Sequence, residues 1–153
     1  MRTIAAALLT LGLAAGALRV LPGGAMPFPD VDADTLPAAV EARRLLKGGA
    51  YARARDLLRG LVEDGRDSAD IHSNLGFALR KLGDLDRAYL HYGIAIDRDP
   101  AHRGAREYLG ELYLMRGDVD AARRQLAILE SLCPEGCEER DELAQAIRAH
   151  PMP

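Results

Sequence analysis

The sequence predicts an all-α protein, a solenoid of three helix hairpins closed by a C-terminal capping helix. Apolar residues from Thr35 onward recur at spacings of three and four, with few β-branched runs, as helices with one buried face require. Pairs of residues also recur 34 positions apart: Leu75-Gly76 with Leu109-Gly110, Gly83-Asp84 with Gly117-Asp118, Ala88 with Ala122 and Pro100 with Pro134. A fixed period of that length marks stacked supersecondary units. The 153 residues are 48% hydrophobic and 28% charged, which excludes a wholly disordered chain.

The N-terminus reads as an export signal. Met1-Arg2-Thr3 is a short positive start, and residues 4–18 are apolar or small apart from Thr10. That run suits a signal-peptide core and is shorter than the roughly 20 residues of a membrane span. Ala15-Gly16-Ala17 and Gly23-Gly24-Ala25 are the two candidate cleavage sites. Residues 1–25 are therefore expected to be a signal peptide cut after Ala17 or Ala25. The product would be periplasmic or secreted in a bacterial envelope, with no membrane span; the alternative is a retained anchoring helix. Three prolines and two adjacent glycines between Pro22 and Pro29 make residues 26–34 an extended linker.

Asp30, Asp32 and Asp34, with Glu41 eleven residues after Asp30, imitate calcium-loop spacing. Thr35 stands where that loop needs Gly for its sharp turn. The better account is an acidic lead-in to a helix capped by Asp34 or Thr35, with Pro37 in its first turn.

The period divides the chain into units 35–68, 69–102 and 103–136. Each is expected to hold two antiparallel helices. Gly49, Gly83 and Gly117 supply the left-handed residue that ends the first helix. Asp84 and Asp118 then cap the second helix, whereas unit one has Ala50 there and should fray more readily. Ala42, Gly76 and Gly110 on first helices are expected to face Ala54, Ala88 and Ala122 on second helices, which lets the pair cross closely.

The chain here resembles the tetratricopeptide repeat family. Unit two carries Leu75-Gly76, Leu79, Gly83-Asp84, Ala88, Tyr92, Ala95 and Pro100. Unit three carries Leu109-Gly110, Tyr113, Gly117-Asp118, Ala122, Leu126, Leu129 and Pro134. Unit one is degenerate, with Glu41 where Leu is usual. The resemblance implies a right-handed solenoid that binds partners on a concave face lined by first helices. The matching positions are Ala39, Arg43 and Lys47, then Ser73, Phe77 and Lys81, then Glu107, Glu111 and Met115, with Arg80 beside them. The family's clamp for a C-terminal carboxylate is not reproduced. Asn74 matches its second-unit Asn, but Ala39, Gly104 and Tyr108 replace three of its residues and Arg43 stands where Asn is usual.

Residues 137–150 are expected to form the cap, with Leu143, Ala144 and Ile147 on one face packed on the second helix of unit three. Cys133 and Cys137 flank Pro134-Glu135-Gly136 at the junction. In an oxidising compartment they could close a small loop and pin the cap, contributing about 2 kcal/mol by chain entropy. A redox pair would want Cys-x-x-Cys in a thioredoxin-like setting, and two cysteines leave a tetrahedral metal site short of ligands.

A pI near 5.8, no Trp and 5% aromatics argue against nucleic acid as partner. The histidines form no set with a nucleophile: His72 falls at an inter-helix position and is expected to be buried, His91 and His102 exposed. No cofactor is implied. The reading is a non-catalytic envelope adaptor holding a protein or peptide segment, with Arg43, Lys47, Ser73, Asn74, Phe77, Arg80, Lys81, Glu107, Glu111 and Met115 as the partner-binding set. The alternative is an assembly or maturation accessory in thiol or metal handling, acting through Cys133 and Cys137.

Overall fold

The structure is a computed structural model and describes residues 32–150. Among the described residues, after a single 3-10 turn (Ala33–Thr35), every element is an α-helix: α1 (Pro37–Lys47), α2 (Tyr51–Glu63), α3 (Ala69–Lys81), α4 (Leu85–Arg98), α5 (Arg103–Met115), α6 (Val119–Leu132) and α7 (Glu138–Ala149). α1 with α2, α3 with α4 and α5 with α6 pack as hairpins, and each hairpin stacks on the next. Among the described residues α3 touches both α1 and α5, while α2, α4 and α6 do not touch one another. First helices thus form a close inner row and second helices a splayed outer row, as in a curved all-α solenoid.

The three hairpin turns are one geometry repeated. Gly49, Gly83 and Gly117 have φ of 75°, 86° and 77°. Each glycine N–H bonds back to Leu46, Arg80 or Leu114, and the next residue's N–H reaches Leu45, Leu79 or Tyr113. This double closure satisfies the last carbonyls of the first helix and needs the left-handed residue that glycine adopts freely. Asp84 and Asp118 accept from the N–H of Arg87 and Ala121 at 3.2 and 2.9 Å, so α4 and α6 are capped. Ala50 offers α2 no such bond.

First helices start differently from expectation. Neither Asp34 nor Thr35 caps α1; both lie in the 3-10 turn, and Leu36 precedes Pro37 without a side-chain cap. Asp34 instead accepts from the Ser68 hydroxyl at 2.6 Å. Ser68 itself caps α3 through the Ile71 N–H at 3.0 Å. One unit later, His102 Nδ1 caps α5 by accepting from the Ala105 N–H, and its Nε2 meets Asp70 at 2.8 Å. His102 is therefore half-buried and bonded, contrary to the exposed position expected, because the 34-residue register places it where Ser68 stands.

The small residues on first helices mark where large side chains insert. A Cβ on Gly76 would lie 2.7 Å from the Tyr92 ring and 3.2 Å from the Ala88 carbonyl oxygen. At Gly110 the occupant is Leu143 of α7, 2.5 Å from where a Cβ would be. The small-against-small expectation thus holds for the approach of Ala88 to Gly76 but misses these inserted side chains. α7 packs against α5 as well as α6. Leu143 and Ala144 lie 34 residues after Leu109 and Gly110, so α7 occupies the place of a fourth first helix. Tyr92, Leu58, Ile71, Leu112, Leu129 and Leu143 are the largest fully buried side chains.

Glycines inside helices should therefore separate by what surrounds them. Gly93 in α4 has nothing within 4 Å of a Cβ, so Gly93→Ala should stabilise by roughly 0.5–1 kcal/mol through helix propensity. Gly110→Ala must displace Leu143 and should cost about 1–3 kcal/mol. Urea unfolding of the two variants beside the parent chain checks both signs.

Candidate functional site

On the inner row, α1, α3 and α5 enclose a cavity of 210 Å³ lined by Arg43, Leu46, Lys47, Asn74, Phe77 and Tyr108. Its floor is aromatic. Phe77 and Tyr108 lie 4.9 Å apart between ring centroids, Tyr51 meets Phe77 edge-on at 6.0 Å, and Tyr92 stands 6.0 Å behind Tyr108. Burial pushes the Tyr108 phenol up to about 12, with Glu107 adding to it. The rim is cationic. Arg43 Nη2 donates to the Asp34 carbonyl at 2.9 Å, which fixes its direction, while Lys47 is exposed. Lys81 Nζ lies 5.3 Å from the Phe77 centroid, a cation–π distance.

Beneath the floor lies a buried charge. Arg80 is 7% exposed and sits in the column of Leu46 and Leu114, where the other units place leucine. Its guanidinium pairs with Glu111 at 2.5 Å, its Nε–H donates to the Tyr92 hydroxyl at 3.3 Å, and its Cζ lies 5.4 and 5.7 Å from the Phe77 and Tyr108 centroids. Glu111 is 30% exposed, so removing it strands a buried guanidinium, the costly direction, whereas removing Arg80 leaves a carboxylate that water reaches. Arg80 and Glu111 therefore hold the rings in place and are occupied by each other.

The structure thus brings together Arg43, Lys47, Asn74 and Phe77, with Lys81 over the ring. It adds Leu46 and Tyr108, which the sequence reading left out of the set. Both were reachable by translation, since Tyr108 is 34 residues after Asn74 and Leu46 is 34 before Arg80. Ser73 and Glu107, expected on the open face, are buried at 2% and 4% exposure. Their column with Ala39 faces neighbouring helices instead. Met115 is exposed and does not line the cavity.

Glu107 is pushed up to about 9, first by burial, then by a hydrogen bond with Glu142 of α7 and the nearby charge of Glu111. Burial and the neighbouring acids Glu142 and Glu111 favour its protonated form under the cap.

The comparisons agree with this geometry. The Tetratricopeptide repeat profile matches residues 40–92 and 78–134, more than half of the chain. The chain belongs to the tetratricopeptide repeat family. Cell division cycle protein 27 homolog A of Arabidopsis thaliana is 33% identical over 82 residues, a match covering 52% of this chain and 11% of that protein's length. Three solved structures share the fold. The type III secretion translocator chaperone SycD of Yersinia enterocolitica is 21% identical with a TM-score of 0.64, covering 73% of this chain and 79% of that one. The second repeat domain of human RPAP3, in complex with the HSP70 peptide SGPTIEEVD, is 23% identical with a TM-score of 0.61, covering 71% and 91%. PcrH, in complex with the chaperone-binding region of PopB, is 18% identical with a TM-score of 0.62, covering 71% and 88%.

Glu107 gives the fold a definite pH dependence. Its folded pKa is raised above the unfolded value of 4.5, so the native state holds a proton the unfolded chain has released, and this contribution to stability falls as pH rises between about 4.5 and about 9. Glu107→Gln should flatten that slope and melt higher than the parent at the alkaline end of the window. Thermal melts across the range test it, and parallel curves would show that Glu107 is ionised in the fold.

Proposed function

We propose that the chain is an exported, non-catalytic adaptor that holds a segment of a protein partner in the inner groove. The observation that carries this is the recess itself: an apolar floor of Leu46, Phe77 and Tyr108 beneath a rim of Arg43, Lys47 and Lys81. Such a surface suits an extended segment that presents an apolar side chain beside an acidic one. Asn74 offers an amide to the backbone of the visitor. The side chains lining the recess are Arg, Leu, Lys, Asn, Phe and Tyr, which supply donors and contact area and no paired nucleophile and base. The peptide-bound states of RPAP3 and PcrH support a segment as the occupant.

Export rests on the sequence of residues 1–25, which lie outside the described residues, as do residues 26–31 of the linker. No helix among the described residues is long and apolar enough to cross a membrane. The cysteine pair supports an oxidising compartment. Cys133 and Cys137 have Cα atoms 6.0 Å apart with their sulfurs joined, and Cys133 is buried at the end of α6 directly before the cap. We assign the pair as a structural disulfide pinning α7, which favours the adaptor over a thiol-handling accessory.

A photo-crosslinking residue placed at Phe77 should trap a partner in native cells, and the same residue at Ser131 on α6 should not. Joint reversal of Arg43, Lys47 and Lys81 to Glu should reduce the trapped product at least about tenfold. Equal trapping from both sites, or from the reversed groove, would show that the contact surface lies elsewhere. Chain recovered from its native compartment should react with maleimide at Cys133 and Cys137 only after reduction; immediate labelling would remove the disulfide.

A further inference from the structure

A second recess opens on the outer face, away from the groove. Between α2 and α4, Arg55 and Arg59 on one side and Arg87 and His91 on the other stand over Leu75 and Leu79 of α3, around a cavity of 280 Å³. Each pair is spaced i, i+4, so both members project from the same face of their helix, an arrangement that like charges disfavour. No carboxylate is among the residues lining the recess. Asp56 holds Arg55 at 2.8 Å and lies 3.8 Å from Arg59, Glu63 meets Arg59 at 3.5 Å and Asp84 holds Arg87, all from outside it. A guanidinium has five N–H donors, so the one carboxylate on Arg55 and on Arg87, and the two on Arg59, leave donors free.

A hydrogen-bond chain runs behind the recess. His72, 3% exposed, places Nε2 2.9 Å from Asp67 Oδ2 and Nδ1 2.9 Å from Nδ1 of His91, and the two rings stack at 5.2 Å. Asp67 is paired in turn with Arg98. His91 is therefore half-buried and bonded, not exposed as its sequence position suggested. When both rings are neutral and Asp67 accepts from Nε2–H, His72 accepts at Nδ1, so His91 donates its Nδ1–H and keeps its lone pair on Nε2. Protonating that nitrogen turns it from acceptor to donor.

We propose that this outer recess binds a phosphate-type oxyanion, with Arg55, Arg59 and Arg87 as donors and His91 taking up one proton as the anion enters. Arginine forks match tetrahedral oxyanions, and charge-assisted bonds of this kind are strong. The empty site disfavours a charged His91: burial first, and then positive surroundings that include Arg87, hold its pKa below the usual value. The charges that face it are His72 with Asp67 behind, Arg55 and Arg59 from α2, and Arg87 on its own helix. On the α5 side of α4, Arg116 pairs with Asp86 and Tyr113 packs on Tyr89, a different face. An arriving anion raises the His91 pKa. Between the free and bound values affinity must increase as pH falls, by up to about tenfold per unit for one proton.

Sulfate is the probe, because it stays a dianion while His91 titrates. Calorimetry on the full chain should show sulfate binding that strengthens from about pH 7.5 to about pH 5.5, with the His91 ring resonances titrating at higher pH in its presence. Arg87→Gln and Arg55→Gln should each weaken binding at least about tenfold, with unchanged melting temperatures. His91→Gln, whose amide still donates, should bind sulfate with no pH dependence. Absence of binding by the parent chain, unaltered affinity in R87Q, or a pH slope retained in H91Q would each overturn the proposal. Glycerol phosphate and vesicles containing phosphatidylglycerol then distinguish the source. Binding of either supports the site, as a soluble phosphoester or as a lipid headgroup respectively, and failure of both overturns it.

Discussion

The close approach of helices at Gly76 and Gly110 is the constraint on which the rest depends. The missing Cβ at one position of α3 and one of α5 opens a notch, and a large side chain fills it: Tyr92 at Gly76, Leu143 at Gly110. Tyr92 then brings its hydroxyl to Arg80 and its ring to Tyr108, so the notch in unit two also fixes the floor of the groove. The notch in unit three does different work. There the inserted residue comes from α7, and the same helix covers Glu107. A single small-residue column thus seats Tyr92 within unit two, the aromatic row beside it and the cap against unit three.

The fold was legible in the sequence because it is written three times. Gly49, Gly83 and Gly117 recur with the same turn, and Ala54, Ala88 and Ala122 are each fully buried. Site residues were legible in part. Arg43, Lys47, Asn74 and Phe77 share a recess because the helical repeat puts them on one face. Ser73 and Glu107 belong to the next column, where the curvature of the stack closes over them. Periodicity gives the direction of a side chain on its own helix; it does not give the inclination of the helix to its neighbour, and that inclination decides between 2% exposure and open solvent. The histidines were misplaced for a related reason. His91 and His102 look peripheral along the chain, yet each is held by a partner on another element, His72 and Asp70, which no local pattern reveals.

Polar groups are concentrated where one unit meets the next. Asp34 reaches Ser68, Asp70 reaches His102, and Asp67 ties the α2–α3 connection to the end of α4 through Arg98. These contacts bridge 31–34 residues of sequence. Close-packed apolar surfaces resist sliding, and a hydrogen bond, lost within an ångström of displacement, sharpens the limit. The bridges therefore add to the packing in setting the register between hairpins. Arg80 follows the same logic in the interior: a charge in a leucine column has one geometry that satisfies it, with Glu111 and Tyr92.

The two rows of helices have a mechanical corollary. α3 offers Asn74 and Phe77 to the inner trough and Leu75 and Leu79 to the outer gap. Each second helix also leans on the first helix of the next hairpin, α2 on α3 and α4 on α5, so the hairpins interlock along two seams. α3 is the common wall: it backs the trough on one side and the gap on the other, and any shift of this one helix must reshape both. Two surfaces that share no residue share a partition.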